Sequence, residues 1–178
     1  MQLTNPFILD GATGSNLIKA GMPSGICVEE WILEHPEILT DLQRRYVQAG
    51  SQAVLAPTFG ANRKKLSELG YGDKVEFFNE ALVALSKKAV EGKAQVFGDM
   101  SPSGEFIFPI GEATMESLVA LYEEQAHVLA KAGVDGVVIE TQMNLADARA
   151  AAIACKKHQL PFMVSITVDQ KGRTLSGC

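Results

Sequence analysis

Cysteine and histidine are both scarce, three of each in 178 residues. Cys27, Cys155 and Cys178 lie far apart and form no C-x-x-C pair. That spacing excludes a disulfide framework and a self-contained structural zinc site. His35, His127 and His158 are equally scattered, and the last two fall on predicted helices, where a structural role outweighs ligation. No apolar run approaches the roughly 20 residues of a membrane span. Met1 to Leu9 has no basic region followed by a long apolar one, so no secretory signal is read and a cytoplasmic location is expected. Cationic residues are outnumbered, with 16 Lys and Arg against 21 Asp and Glu for a net charge of −5. That balance argues against nucleic acid and against an anionic membrane surface as partners. A G-x-G-x-x-G turn is also missing, which makes a dinucleotide site a poor reading.

What is present is ordinary globular composition, 47% hydrophobic and 21% charged, enough for one substantial core. No linker or repeat divides residues 1–178, so a single domain is expected. Short β-branched or apolar runs alternate with amphipathic stretches. Strands are predicted at Phe7–Leu9, Gln52–Ala56, Ala94–Met100, Val134–Thr141 and Pro161–Val168. Helices are predicted up to Lys19, from Pro36 to Gly50, over Arg63–Leu69 and Asp73–Glu91, from Thr114 to Lys131, and from Leu145 to Lys157. Gly21 to Trp31 reads as irregular. Pro36 takes the first-turn position that proline favours, and Thr114 and Asn144 are N-caps. Strand–helix alternation of this kind gives a parallel α/β sheet, with doubly wound and barrel architectures both compatible.

In a parallel sheet all strand C-termini lie on one side. Asp10, Thr58, Asp99, Glu140 with Thr141, and Ser165 with Thr167 therefore gather at one mouth. Carboxylates there would hold an ammonium, and backbone N–H groups near Gly11, Gly14 and Gly60 a carboxylate. The pattern points to an amino-acid-like ligand without naming a reaction. Asp also caps turns routinely. Beside the Ser101-Pro102-Ser103-Gly104 loop, capping is the preferred reading for Asp99, and ligand contact for Asp10 and Glu140.

Four ordered motifs carry a resemblance. Leu9-Asp10-Gly11-Ala12-Thr13-Gly14, Pro57-Thr58-Phe59-Gly60-Ala61-Asn62, Phe97 to Gly104 and Gly133 to Thr141 resemble the homocysteine S-methyltransferase family, with Val168 to Gly177 matching the segment after its fifth strand. The likeness is greatest to the homocysteine-binding module of the cobalamin-dependent methionine synthases. It implies an α/β fold of the parallel (β/α) TIM-barrel type, truncated after about five of eight β/α units. It also implies transfer of a methyl group to the zinc-bound thiolate of homocysteine, giving methionine. The substrate contacts it implies are Asp10 and Glu140 for the ammonium, with Thr141 beside Glu140. Gly11, Thr58 and Phe59 would lie near the carboxylate and side chain.

The family's three zinc-ligand cysteines belong to later segments, and Cys27, Cys155 and Cys178 do not stand at their positions. The resemblance therefore implies no metal ligand and no catalytic residue within these 178 residues. Methylcobalamin is the expected methyl donor, with betaine and S-methylmethionine as the family's other donors. An open sheet of this kind leaves edges that self-association or a C-terminal half-barrel would cover. A second reading is an inactive remnant, or one half of a split enzyme, that binds an amino acid or a partner without zinc chemistry.

Overall fold

A computed structural model describes residues 6–174 and Gly177. Its sheet contains four parallel strands in sequential order: β1 (Ala53–Leu55), β2 (Gln95–Met100), β3 (Gly136–Gln142) and β4 (Phe162–Ile166). The connections are helical. They comprise α1 (Gly14–Lys19), α2 (Val28–Glu34), α3 (Pro36–Gln48), α4 (Arg63–Glu68), α5 (Val75–Val90), α6 (Met115–Ala132) and α7 (Leu145–Lys157), with a 3-10 turn over Gly72–Lys74. Sequential parallel order with helices on one face is the geometry of consecutive β/α units in a barrel wall. No helix among the described residues is long and apolar enough to cross a membrane.

The strands read as near-continuous apolar runs because both faces are covered. On the helical face Val54, Ala56, Val96, Met100, Val137 and Ile139 pack against α5, α6 and α7 through Val83, Tyr122, Leu129 and Ala151. Gly98 belongs to this face, and a Cβ there would come within 2.8 Å of Leu129. Only glycine lets α6 settle this closely onto β2. The other face is concave and holds a smaller cluster of Ala53, Phe97 and Val138, with Phe7, Leu9, Leu55 and Met163 packed against it. Strand side chains alternate, so two residues beyond Phe97 and Val138 the same face presents Asp99 and Glu140. A third cluster, around Leu17, Trp31, Ile32, Leu39, Phe78 and Leu82, ties α1 through α5 together.

Local chemistry sets most boundaries as expected. Pro36 stands at the start of α3. The Thr114 side chain accepts from the N–H of Ser117, and the Ser117 hydroxyl accepts from the N–H of Thr114, closing a capping box on α6. Asn144 accepts from the N–H of Asp147 at the start of α7.

Two expectations are corrected. Val28 to Trp31, read as the end of an irregular stretch, belong to α2 (Val28–Glu34); Glu29 and Glu30 occupy its first turn, where the helix dipole favours anions, and Trp31 and Ile32 bury its apolar side. Phe7–Leu9 lies alongside β1 but forms no strand ladder. Ile8 accepts from the N–H groups of Gln52 and Ala53 at 2.8 and 3.4 Å. Its own N–H goes to the Gln52 side chain, and the next ladder position is taken by a carboxylate, Asp10, which accepts from the N–H of Leu55 at 3.1 Å. Side chains have replaced backbone carbonyls, so the segment follows the sheet without joining it as a fifth strand.

Candidate active site

The loops after the strands enclose a cavity of about 780 Å³ on the concave side. Asp10, Gly11, Phe59, Asp99 and Glu140 line it together with Glu29 and Lys65. Four of the six expected contact residues thus converge, and two do not.

Thr58 is fully buried and lies outside the cavity wall. Its hydroxyl donates to the carbonyl of Asp99 and accepts from the N–H of Asp99, both at 2.9 Å. Its carbonyl accepts from Gln125 at 2.8 Å. Thr58 is a clamp between the ends of β1 and β2, and its polar atoms are already engaged. Thr141 is exposed and also outside the cavity wall. Its φ is +57°, a conformation costly for a β-branched residue. The cause is a bulge: Ile139 pairs with Val164 and Gln142 with Ile166, so Glu140 and Thr141 together face Ser165 alone. Bulges of this kind re-aim side chains beside ligand sites.

The Asp10 loop is held from behind. The Tyr46 hydroxyl donates to the carbonyl of Ala12 at 2.8 Å, and Asn16 donates to the same carbonyl at 2.6 Å. The Tyr46 ring lies where a Cβ on Gly11 would be, at 2.9 Å. Glycine here is required by close approach.

Asp99 does not take the capping part expected of it, and Asp10 takes a second part beside the one expected. Asp10 caps backbone through Leu55, although it also lines the cavity. Asp99, read as a turn cap, sends its carboxyl into the cavity, and its Oδ1 is buried without a partner among the described residues. Burial is the chief cause that pushes the Asp99 carboxyl well above the usual carboxylate range, with the neighbouring Glu140 and Asp10 charges acting in the same direction. Asp10 is raised to about 6, again mainly by burial; its bond from Leu55 opposes the rise and Glu140 adds to it. Three carboxyl groups crowded at one mouth form an acidic wall to the cavity.

Two further wall residues escaped the sequence reading. Glu29, on α2, is buried and accepts from the Cys27 thiol at 3.5 Å. Lys65, on α4, lies over the Phe59 ring at 4.6 Å from its centroid. The signal for Asp99 was present in Phe97-Gly98-Asp99, where period-2 alternation puts the carboxyl on the face of a core phenylalanine. Glu29 and Lys65 had no such signal, because helices bring them in from outside the sheet.

The loop after β2 is fixed from α7. Asp147, fully buried, accepts from the Ser103 hydroxyl at 2.6 Å, from its N–H at 3.2 Å and from the Asn144 amide at 3.1 Å. The Tyr122 hydroxyl donates to the carbonyl of Ser101 at 3.0 Å.

A sequence model described as homocysteine S-methyltransferase matches residues 7–178. The chain is 26% identical to a methionine synthase of Mycobacterium leprae over 94% of its own length and 15% of that protein's. It is 28% identical to betaine–homocysteine S-methyltransferase 1 of Bos taurus, over 92% of its own length and 41% of the relative's. Among solved structures, the metallated homocysteine methyltransferase MmuM of Escherichia coli superposes with a TM-score of 0.83 at 21% identity, covering 96% of this chain and 66% of that one. The likeness to that structure is one of fold. The chain spans about 15% of the length of the methionine synthases it matches.

Proposed function

The chain belongs to the homocysteine S-methyltransferase family, and we propose that it supplies the homocysteine-binding part of a methyltransferase that converts homocysteine to methionine. The observation that carries this reading is the convergence of Asp10, Asp99 and Glu140 on one concave cavity. A cluster of carboxyl groups in a partly buried cavity favours a cationic group, and the α-ammonium of an amino acid provides one. The carboxyl groups accept hydrogen bonds from the ammonium when it arrives. The substrate is thereby fixed at one end, with its side chain free to extend along the wall formed by Phe59 and Leu17. Orientation of this kind turns an encounter between thiol and methyl donor into a positioned reaction.

Methyl transfer forms a sulfur–carbon bond, breaks the donor's bond to the methyl group and leaves the thiol proton to be removed. In the family a zinc ion supplies a thiolate at neutral pH by lowering the thiol's pKa. The residues at hand do not fit such an ion. Among the described residues no three His, Cys, Asp or Glu side chains are grouped to hold a metal. Cys27 faces Glu29 under α2, and Cys155 is buried beneath the sheet at 3.9 Å from the Met100 sulfur; Cys178 lies outside the described residues. No step is therefore assigned to zinc within this chain. The likeness to methionine synthases supports methylcobalamin as the donor, and the likeness to the betaine-dependent enzyme keeps betaine as the competing donor.

Titration calorimetry with L-homocysteine tests the binding role. Binding in the wild type that drops about tenfold or more in Glu140→Gln is expected, since one charge-assisted bond is lost. An affinity unchanged by Glu140→Gln would remove Glu140 from the site.

A further inference from the structure

Three consecutive cations open α4, and they have different surroundings. Arg63 is paired with Glu124, and Lys64 with Glu105 at 2.6 Å. Lys65 makes no ion pair among the described residues. It is turned back over the Phe59 ring and into the cavity that Asp10, Asp99 and Glu140 line from the strand ends. Its placement is not accidental looseness. The N–H of Lys65 donates to Asn62 at 3.0 Å, and Asn62, fully buried, donates in turn to the Ser101 hydroxyl at 3.3 Å. The backbone carrying Lys65 is thus tied to the end of β2, which carries Asp99.

Lost hydration lowers the Lys65 pKa, and this outweighs the pull of Glu29, Glu68, Asp99 and Asp147, which act from a distance to raise it. A half-buried ammonium that has given up water without gaining a contact ion pair is held there at a cost. Cation–π contact with Phe59 returns part of it. An anion bound in the cavity would return the rest.

We propose that Lys65 takes the carboxylate of the amino acid bound in the cavity, opposite the acidic wall that takes its ammonium. This rests on the reading of the cavity as an amino-acid site and adds the group that selects zwitterions over simple amines. An α-amino acid carries both charges on one carbon, so a cation on α4 facing carboxyls at the ends of β2 and β3 matches it. An aminothiol lacking the carboxylate would engage the acidic wall and leave Lys65 unpaired. Phe59 holds the ammonium laterally, which limits how far it can fold away when the cavity is empty. Lys65 is a specificity residue in this arrangement and takes no part in bond making.

Calorimetric titration with L-homocysteine and with 3-aminopropane-1-thiol, its counterpart without the carboxylate, separates the possibilities. The wild type is expected to prefer homocysteine by about ten- to a hundredfold, the worth of one charge-assisted bond. In Lys65→Met the preference should collapse to within about threefold through weaker homocysteine binding, and Lys65→Arg should keep most of it. Thermal melts of both variants establish that they are folded. If Lys65→Met weakened both ligands equally, or left the preference intact, the assignment would be wrong while the amino-acid reading of the cavity stood. If the wild type bound neither thiol, both the homocysteine reading and the assignment built on it would be overturned.

Discussion

At the scale of single residues, Asp10 and Asp99 show how position decides the behaviour of one side-chain type. Both are aspartates at strand ends and both are raised chiefly by burial, Asp10 to about 6, where the bond from Leu55 opposes the rise, and Asp99 well above the usual carboxylate range, where the neighbouring Glu140 adds to it. An aspartate raised from 3.8 to about 6 binds more protons folded than unfolded between those values. Its contribution to stability is therefore full below about pH 4 and is lost as the pH rises through 6. Asp10→Asn should remove that part of the pH dependence, so that melting temperatures of variant and wild type converge on acidification and the variant gains relative stability towards pH 7. Ligand affinity should run the other way. Ammonium binding to the wild type strengthens from pH 5 to pH 7 as Asp10 ionises, and calorimetry on Asp10→Asn should show a flatter profile. Thr141 offers a second test. Its φ of +57° suits glycine, so Thr141→Gly should raise stability by about 1 kcal/mol in chemical denaturation.

Among secondary-structure elements, the seat of α6 on β2 and the tie between α7 and the loop after β2 are the points of least tolerance. Gly98→Ala places a methyl against Leu129 and should cost about 1–3 kcal/mol, read as a lower denaturation midpoint at an unchanged slope. Asp147→Ala leaves the Ser103 hydroxyl and N–H without their acceptor inside the protein. A loss of about 3 kcal/mol is expected, together with weaker ligand binding as the loop beside Asp99 loosens. These elements also show which parts of the molecule the sequence disclosed. Helix starts at Pro36, Thr114 and Asn144 were legible because caps are local chemistry that needs no tertiary partner. The strand Val134–Thr141 was legible from its β-branched run Val137-Val138-Ile139, and Glu140 at its tip followed from topology. The backbone bond of Asp10 and the uncapped carboxyl of Asp99 were not, since both depend on which backbone N–H lies across from each carboxyl. Helix α2 was hidden by Pro23, Gly25 and Cys27 just before it, and the bulge at Glu140–Thr141 by the fact that register belongs to two strands at once.

For the molecule as a whole, the concave sheet has two unlike borders. One is lined by Phe7 to Asp10 through a mixture of backbone and side-chain bonds. The other is β4, whose outer side is paired with no strand among the described residues and whose Val164 is 42% exposed on the face that α7 and its predecessors cover elsewhere. Open strand edges with apolar side chains recruit further strands. Concentration-dependent self-association of the isolated chain is expected in analytical ultracentrifugation, and Val164→Lys should shift it towards monomer. A monomer at all concentrations would show that this border is already protected.

The carboxylate of Asp10 stands in for a backbone carbonyl on one side and lines a binding cavity on the other. Ligand occupancy and the fastening of the chain's first described segment are therefore drawn from the same two oxygen atoms. The amide of Leu55, which donates to one of them, is a built-in reporter of this sharing. In hydrogen–deuterium exchange its deuteration rate should slow when the cavity fills, as the charge on Asp10 is fixed, and should quicken in Asp10→Asn with the cavity empty. A site whose occupancy can be followed at one main-chain amide, with no label and no turnover, allows ligands to be screened on the chain by itself.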